Sequence, residues 1–143
     1  MTQRGLGVTR QTKAKLRSWI PAIVWTLLIF AVSSIPGAVT ATFGVKISDK
    51  IAHAAEFAAL GLFLTVGFAG TLGIDRSLLV TLSVLAVGFT IGLLDEVYQL
   101  IVPGRMTEFL DWVADSAGIV IGNRIAMAYL SRRSARRTAR MER

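Results

Sequence analysis

The stretch Gly88-Phe-Thr-Ile-Gly-Leu-Leu-Asp-Glu-Val-Tyr-Gln99 begins as apolar sequence and ends in two adjacent carboxylates, Asp95 and Glu96, and an amide, Gln99. Ionisable groups beside hydrocarbon are costly, so they mark binding sites, relays or ion paths. The single histidine, His53, stands three residues before Glu56, which puts both on one face of a helix. A histidine beside carboxylates suits general acid–base chemistry. The cations Lys50 and Arg105 suit the holding of an oxyanion or a phosphate. The candidate catalytic residues are therefore His53, Glu56, Asp95 and Glu96. Asp49, Lys50, Gln99, Arg105, Asp111 and Asp115 are the candidate substrate-binding residues. Without chemistry, the same groups make a salt-bridge network that ties short helices together.

His53 with Glu56 is also half of a metal site, with Asp95, Asp111 and Asp115 as further oxygen donors. The chain has no cysteine and no metal-specific spacing, so neither a metal nor another cofactor is expected. Ser33-Ser34 closes an apolar run and reads as a capping or packing pair rather than a nucleophile.

Four apolar spans must position these groups. Trp19 to Val32 is apolar throughout, with Pro21 tolerated in a first helical turn that has spare N–H groups. With its basic approach it resembles a secretory signal cleaved near Val39-Thr40-Ala41. An uncleaved helix is the better reading, because further spans follow and the run approaches membrane length. Residues 37–48 form a loop with room for a short re-entrant or surface element at 39–45. The second span runs from Asp49 to about Gly70, the third from Leu78 to Gln99, the fourth from Phe109 to Leu130. Gly73-Ile-Asp-Arg-Ser77 and Pro103-Gly104-Arg105 are the turns between them.

The spacing within each span is helical. Gly88, Gly92, Asp95 and Gln99 step by four, three and four. So do Asp49, His53, Glu56 and Leu60, and so do Asp111, Asp115, Gly118 and Gly122. The paired glycines of the third and fourth spans allow close helix approach. They are expected to pack against each other and bring Asp95, Gln99, Asp111 and Asp115 to one depth.

The 143 residues make one domain, 53% hydrophobic with mean hydropathy +0.58, and the charge is expelled from long blocks. Both features point to an all-α integral membrane protein. Its parts are a basic segment at 1–18, a four-helix transmembrane unit at 19–130 and an arginine-rich tail at 131–143. Basic charge at both ends puts both termini in the cytoplasm. The two tails with Asp75, Arg76 and Arg124 hold thirteen basic residues against two acidic ones. The remainder holds three basic residues against seven acidic ones, so the outer half is acidic. Topology accounts for the net charge of +7, and no nucleic-acid partner is expected. Asn123 and Arg124 are expected to reach the inner headgroups, and Trp19 and Trp112 to anchor at the interfaces.

Asp49-Lys50-Ile-Ala-His53-Ala-Ala-Glu56-Phe-Ala-Ala-Leu60-Gly61 resembles the second-helix motif of the VanZ-like membrane proteins. Trp25, Ile29-Phe30, Ser33-Ser34 and Pro36 resemble that family's first helix. Gly92-Leu-Leu-Asp95-Glu96-Val-Tyr-Gln99, Pro103-Gly104-Arg105 and Asp111-Trp-Val-Ala-Asp115-Ser-Ala-Gly118 resemble its third helix, turn and fourth helix. Each motif is loose alone, but four in order with the right spacing are specific. Asp115 departs from the Asn expected there and adds an acid. The resemblance implies a four-helix protein of the bacterial plasma membrane, and its founding members are associated with teicoplanin resistance. It carries no settled biochemical activity.

Three classes of function follow. One is an enzyme acting on a lipid-linked envelope molecule at the outer leaflet. The second is a non-catalytic binder of a headgroup or glycopeptide. The third is a small transporter subunit with a carboxylate relay, which the lack of acids in the inner halves disfavours. Membrane lipids are partners in every case, and the sequence sets no oligomeric state.

Overall fold

A computed structural model of the protein describes residues 11–36, 49–105 and 107–142. It is all-helical among those residues. A helical lead at residues 11–17 turns into α1 (Ile20–Ser33), and α2 (Asp49–Leu72), α3 (Ser77–Gln99) and α4 (Phe109–Met141) follow. A single 3₁₀ turn, Ile74–Arg76, joins α2 to α3. It starts at Gly73, whose φ of +92° only glycine adopts readily. Gly104, at φ +73°, serves the turn after α3 in the same way. The suggested element at 39–45 and the Val39-Thr40-Ala41 site lie outside the described residues.

α1 begins with Pro21 in its first turn, as the missing N–H requires. It ends at Ser34, whose backbone N–H and hydroxyl both donate to the Phe30 carbonyl, the hydroxyl at 2.6 Å. The serine pair therefore caps and packs. α4 runs eleven residues past the expected end of its span. The segment Ser-Arg-Arg-Ser-Ala-Arg-Arg-Thr-Ala-Arg-Met contains no glycine or proline, and arginine and alanine are good helix formers.

The bundle is apolar on its outside. Ile20, Ile23, Val24, Leu27, Leu28 and Val32 of α1 are all exposed, as are Leu78, Leu82, Leu93 and Val97 of α3. Water does not favour such a surface over whole helices, but a bilayer does. Gln11–Ser33, Lys50–Leu72 and Ile74–Gln99 are long and apolar enough to cross a membrane. α4, expected as a fourth span, is not among them. Its polar residues Asp111, Asp115 and Asn123 are buried, while Val113, Val120, Ile121 and Ile125 are exposed. Its average polarity therefore reports what faces the other helices rather than what faces outward.

Phe57, Leu60, Val80, Val84 and Ile119 form a fully buried core between α2, α3 and α4, with Ala22 and Ile29 of α1 against it. Asn123, expected at the headgroups, is instead 1% exposed and donates to the Thr65 hydroxyl at 3.0 Å. The reason is its place on the α4 stripe that includes Ile119 and Ala126. Arg124, one step round the helix, is exposed.

The glycine seam is the main correction. A Cβ at Gly118 or Gly122 would strike the backbone of Ala54 or Ala58, and one at Gly61 would lie 2.5 Å from the Ile119 carbonyl oxygen. Gly118 and Gly122 thus seat α4 against α2, not α3. The partner face is the small-residue stripe Ala54, Ala58 and Gly61. The α3 glycines meet side chains of α4: Gly88 meets Ile119, and Gly92 meets Asp115 and Trp112.

Candidate functional site

The α2–α4 seam is parallel, so the starts of both helices and the end of α3 share one end of the bundle. That end gathers the polar groups. Lys50 Nζ donates to Asp111 Oδ1 at 2.9 Å and to Glu108 Oε2 at 2.8 Å. One turn deeper, His53 Nδ1 lies 3.0 Å from Asp115 Oδ1 in a buried contact. On α3, Gln99 Nε2 donates to Asp95 Oδ2 at 3.0 Å, a bond between buried side chains four residues apart. Glu96 Oε2 accepts the Glu108 backbone N–H at 3.1 Å. The half-buried Glu56 is within electrostatic reach of His53, Asp95 and Asp115.

Two of these pairings differ in worth. The Lys50 side chain is 40% exposed, and an exposed ion pair contributes about 0–1 kcal/mol. Lys50 therefore orients the rim more than it stabilises the bundle. The inner groups are desolvated and incompletely satisfied. Asp95 Oδ1, Glu96 Oε1, Asp115 Oδ2 and Ser116 Oγ are buried and have no hydrogen-bond partner among the described residues. A buried polar atom left unsatisfied costs about 1–3 kcal/mol, more when charged, so three such carboxylate oxygens are a conspicuous concentration.

His53, Glu56, Asp95, Glu96, Gln99, Asp111 and Asp115 are thus brought together, with Lys50 at the rim. Arg105 is within electrostatic reach of Glu56, but its hydrogen bonds go to α1. Its Nε donates to the Ile35 carbonyl at 3.2 Å and its Nη2 to the Val32 carbonyl at 3.4 Å. α1 has no basic residue in its last turn, and Arg105 supplies one from outside. Asp49 opens α2, but its side chain is outside the described residues.

Some participants were not anticipated. Glu108 both anchors Lys50 and presents its N–H to Glu96. The signal was there, since Glu108 stands three residues before Asp111 at a helix start. Thr107 donates to the Glu96 carbonyl at 3.2 Å. Trp112 donates to the Phe89 carbonyl at 3.2 Å and stacks edge-on to Phe89, so it spans α3 and α4. Trp25 donates to the Glu56 carbonyl at 2.9 Å, which ties α1 to the site's own turn of α2.

Beside these carboxylates lies a cavity of about 410 Å³ lined by Leu93, Glu96, Thr107, Glu108, Phe109 and Trp112. Its walls are mostly apolar, and Glu96 links it to the polar cluster. Volumes of roughly 300–1,000 Å³ are typical of small-molecule sites.

The model of the VanZ/LLP1 family matches residues 7–131, which include α1, α2, α3 and the part of α4 that precedes the arginines. The chain matches no curated protein and no solved structure.

Proposed function

The chain belongs to the VanZ/LLP1 family, and from that premise we propose that it binds the headgroup of a lipid-linked envelope molecule at the outer leaflet of a bacterial plasma membrane. The observation that carries this reading is the convergence of carboxylates from three helices beside a mostly apolar cavity. The apolar walls suit an acyl chain, and the half-exposed Glu108 carboxylate, paired with Lys50, stands at their edge. An amine-bearing headgroup fits apolar walls with a carboxylate at their edge. The family is linked to glycopeptide resistance. Binding or altering an envelope molecule at this site would lower susceptibility to a teicoplanin-like antibiotic.

A second reading, chemistry on the headgroup, is favoured by one observation. The His53 ring is held by Asp115 through Nδ1, which is how a general base is oriented. One experiment tests both. Envelope-lipid precursors and teicoplanin susceptibility are compared in cells with no protein, with the wild type and with Asp95→Asn. The expected result is a wild-type change in both readouts that Asp95→Asn abolishes. If the variant equals the wild type, the cluster is structural. New precursor species would favour chemistry, and a shift in susceptibility without them would favour binding.

The proposed orientation has its own test. The chain contains no cysteine, so a single one introduced at Ser134 should resist an impermeant thiol reagent in intact cells, and one at the exposed Pro103, beside Gly104, should react. Labelling at Ser134 would reverse the orientation.

A further inference from the structure

We infer that the polar cluster holds a divalent transition-metal ion, of the zinc or manganese kind, through His53, Glu96 and Asp115. Each of these residues comes from a different helix, and each offers one donor atom within 4.8 Å of the other two. Bonds of about 2.0–2.2 Å place the donors of one such ion roughly 3–4.4 Å apart, so the three need little movement. His53 Nδ1 and Asp115 Oδ1 are already 3.0 Å apart.

A second observation points the same way. Asp115 and Glu96 are 1% and 3% exposed, and each keeps one buried carboxylate oxygen without a hydrogen-bond partner among the described residues. Asp95, 1% exposed, has another such oxygen close by. Carboxylates in this setting outnumber the nearby cations, and a bound dication would satisfy oxygens that no donor reaches. One imidazole with two carboxylates is a donor set for zinc or manganese; calcium takes six to eight oxygens. Three protein ligands also leave coordination positions open, and one of the three, Glu96, is shared with the cavity wall.

The test does not depend on what enters that cavity, because it reads metal on protein without substrate. Its failure would leave the headgroup reading standing, and the reverse holds as well. The protein, without a polyhistidine tag, is stripped with chelator in lipid nanodiscs. It is then dialysed against Zn²⁺ or Mn²⁺, with Ca²⁺ as the comparison. The expected result is one equivalent of zinc or manganese per chain. Glu96→Gln and Asp115→Asn should each weaken binding by more than about 100-fold, beyond the 10–100-fold typical of supporting residues. Asp75→Asn, exposed at the other end of the bundle, should keep it. The wild type gives a check that no variant can confuse. The chain has one histidine, so imidazole nitrogen coupling in the pulsed EPR spectrum of bound Mn²⁺ must come from His53. No retained zinc or manganese overturns the inference. So do wild-type affinity in both ligand variants and bound Mn²⁺ without imidazole nitrogen coupling.

Discussion

α4 meets its two neighbours in different ways. Against α2 it is backbone to backbone, with Gly118 and Gly122 set on Ala54 and Ala58 and with Gly61 on Ile119. Against α3 it is side chain to glycine, with Ile119 lying over Gly88 and Asp115 with Trp112 over Gly92. The first seam brings two helix axes together. The second gives up helix propensity to make room for particular side chains, one of them a carboxylate of the candidate site. Two glycine pairs with the same four-residue spacing therefore do unlike jobs: one closes the bundle and the other shapes its polar end.

The largest effect should come from the closing seam. Gly122→Leu must push α4 away from the Ala58 carbonyl, where no side chain can turn aside. A destabilisation of about 3 kcal/mol or more is expected in unfolding from detergent, with insertion preserved. An unchanged melting temperature would show that the seam is loose. A middle-sized effect is expected from Asn123→Ala in the same seam. The Thr65 hydroxyl keeps its 2.7 Å bond to the Gly61 carbonyl, so it is not orphaned, and about 1 kcal/mol should be lost. A double-mutant cycle with Thr65→Val measures the pair, and zero coupling would deny the bond. The smallest effect on stability should come from Gly92→Ala. Its new methyl would lie 3.3 Å from Asp115 Cβ, close enough to shift that side chain slightly. The gain in helix propensity, about 1 kcal/mol, offsets the crowding. The melting temperature should hold while metal affinity falls about 10-fold, as for a supporting position. Loss of stability without loss of affinity would make both seams alike.

Much of this was legible in periodicity. The buried stripe of α3 is Val80, Val84, Gly88, Gly92, Asp95, Glu96 and Gln99, and its polar end follows from steps of three and four. The faces of α2 and α4 were readable in the same way. The partner of each face was not. Ala54 and Ala58 sit in an alanine-rich run, where a small residue carries little information until a facing glycine is seen. Arg105 was read as a rim cation because its charge is local, yet its partners are carbonyls of α1 seventy residues away. The proposed donor set was illegible for a related reason. It takes one residue from each of three helices, and no spacing within a single helix encodes that.

The length of α4 has a further consequence. Its 33 residues extend about 50 Å, well beyond a hydrocarbon layer of about 30 Å. From Asp115 to Arg132 the rise is about 25 Å. With Arg132 and Arg133 at the hydrocarbon boundary of one leaflet, Asp115 would stop about 5 Å short of the opposite boundary. The arginine end then acts as a measuring stick. In the proposed orientation it would set how deep the carboxylates sit, and so how far a molecule must reach into the bilayer to meet them.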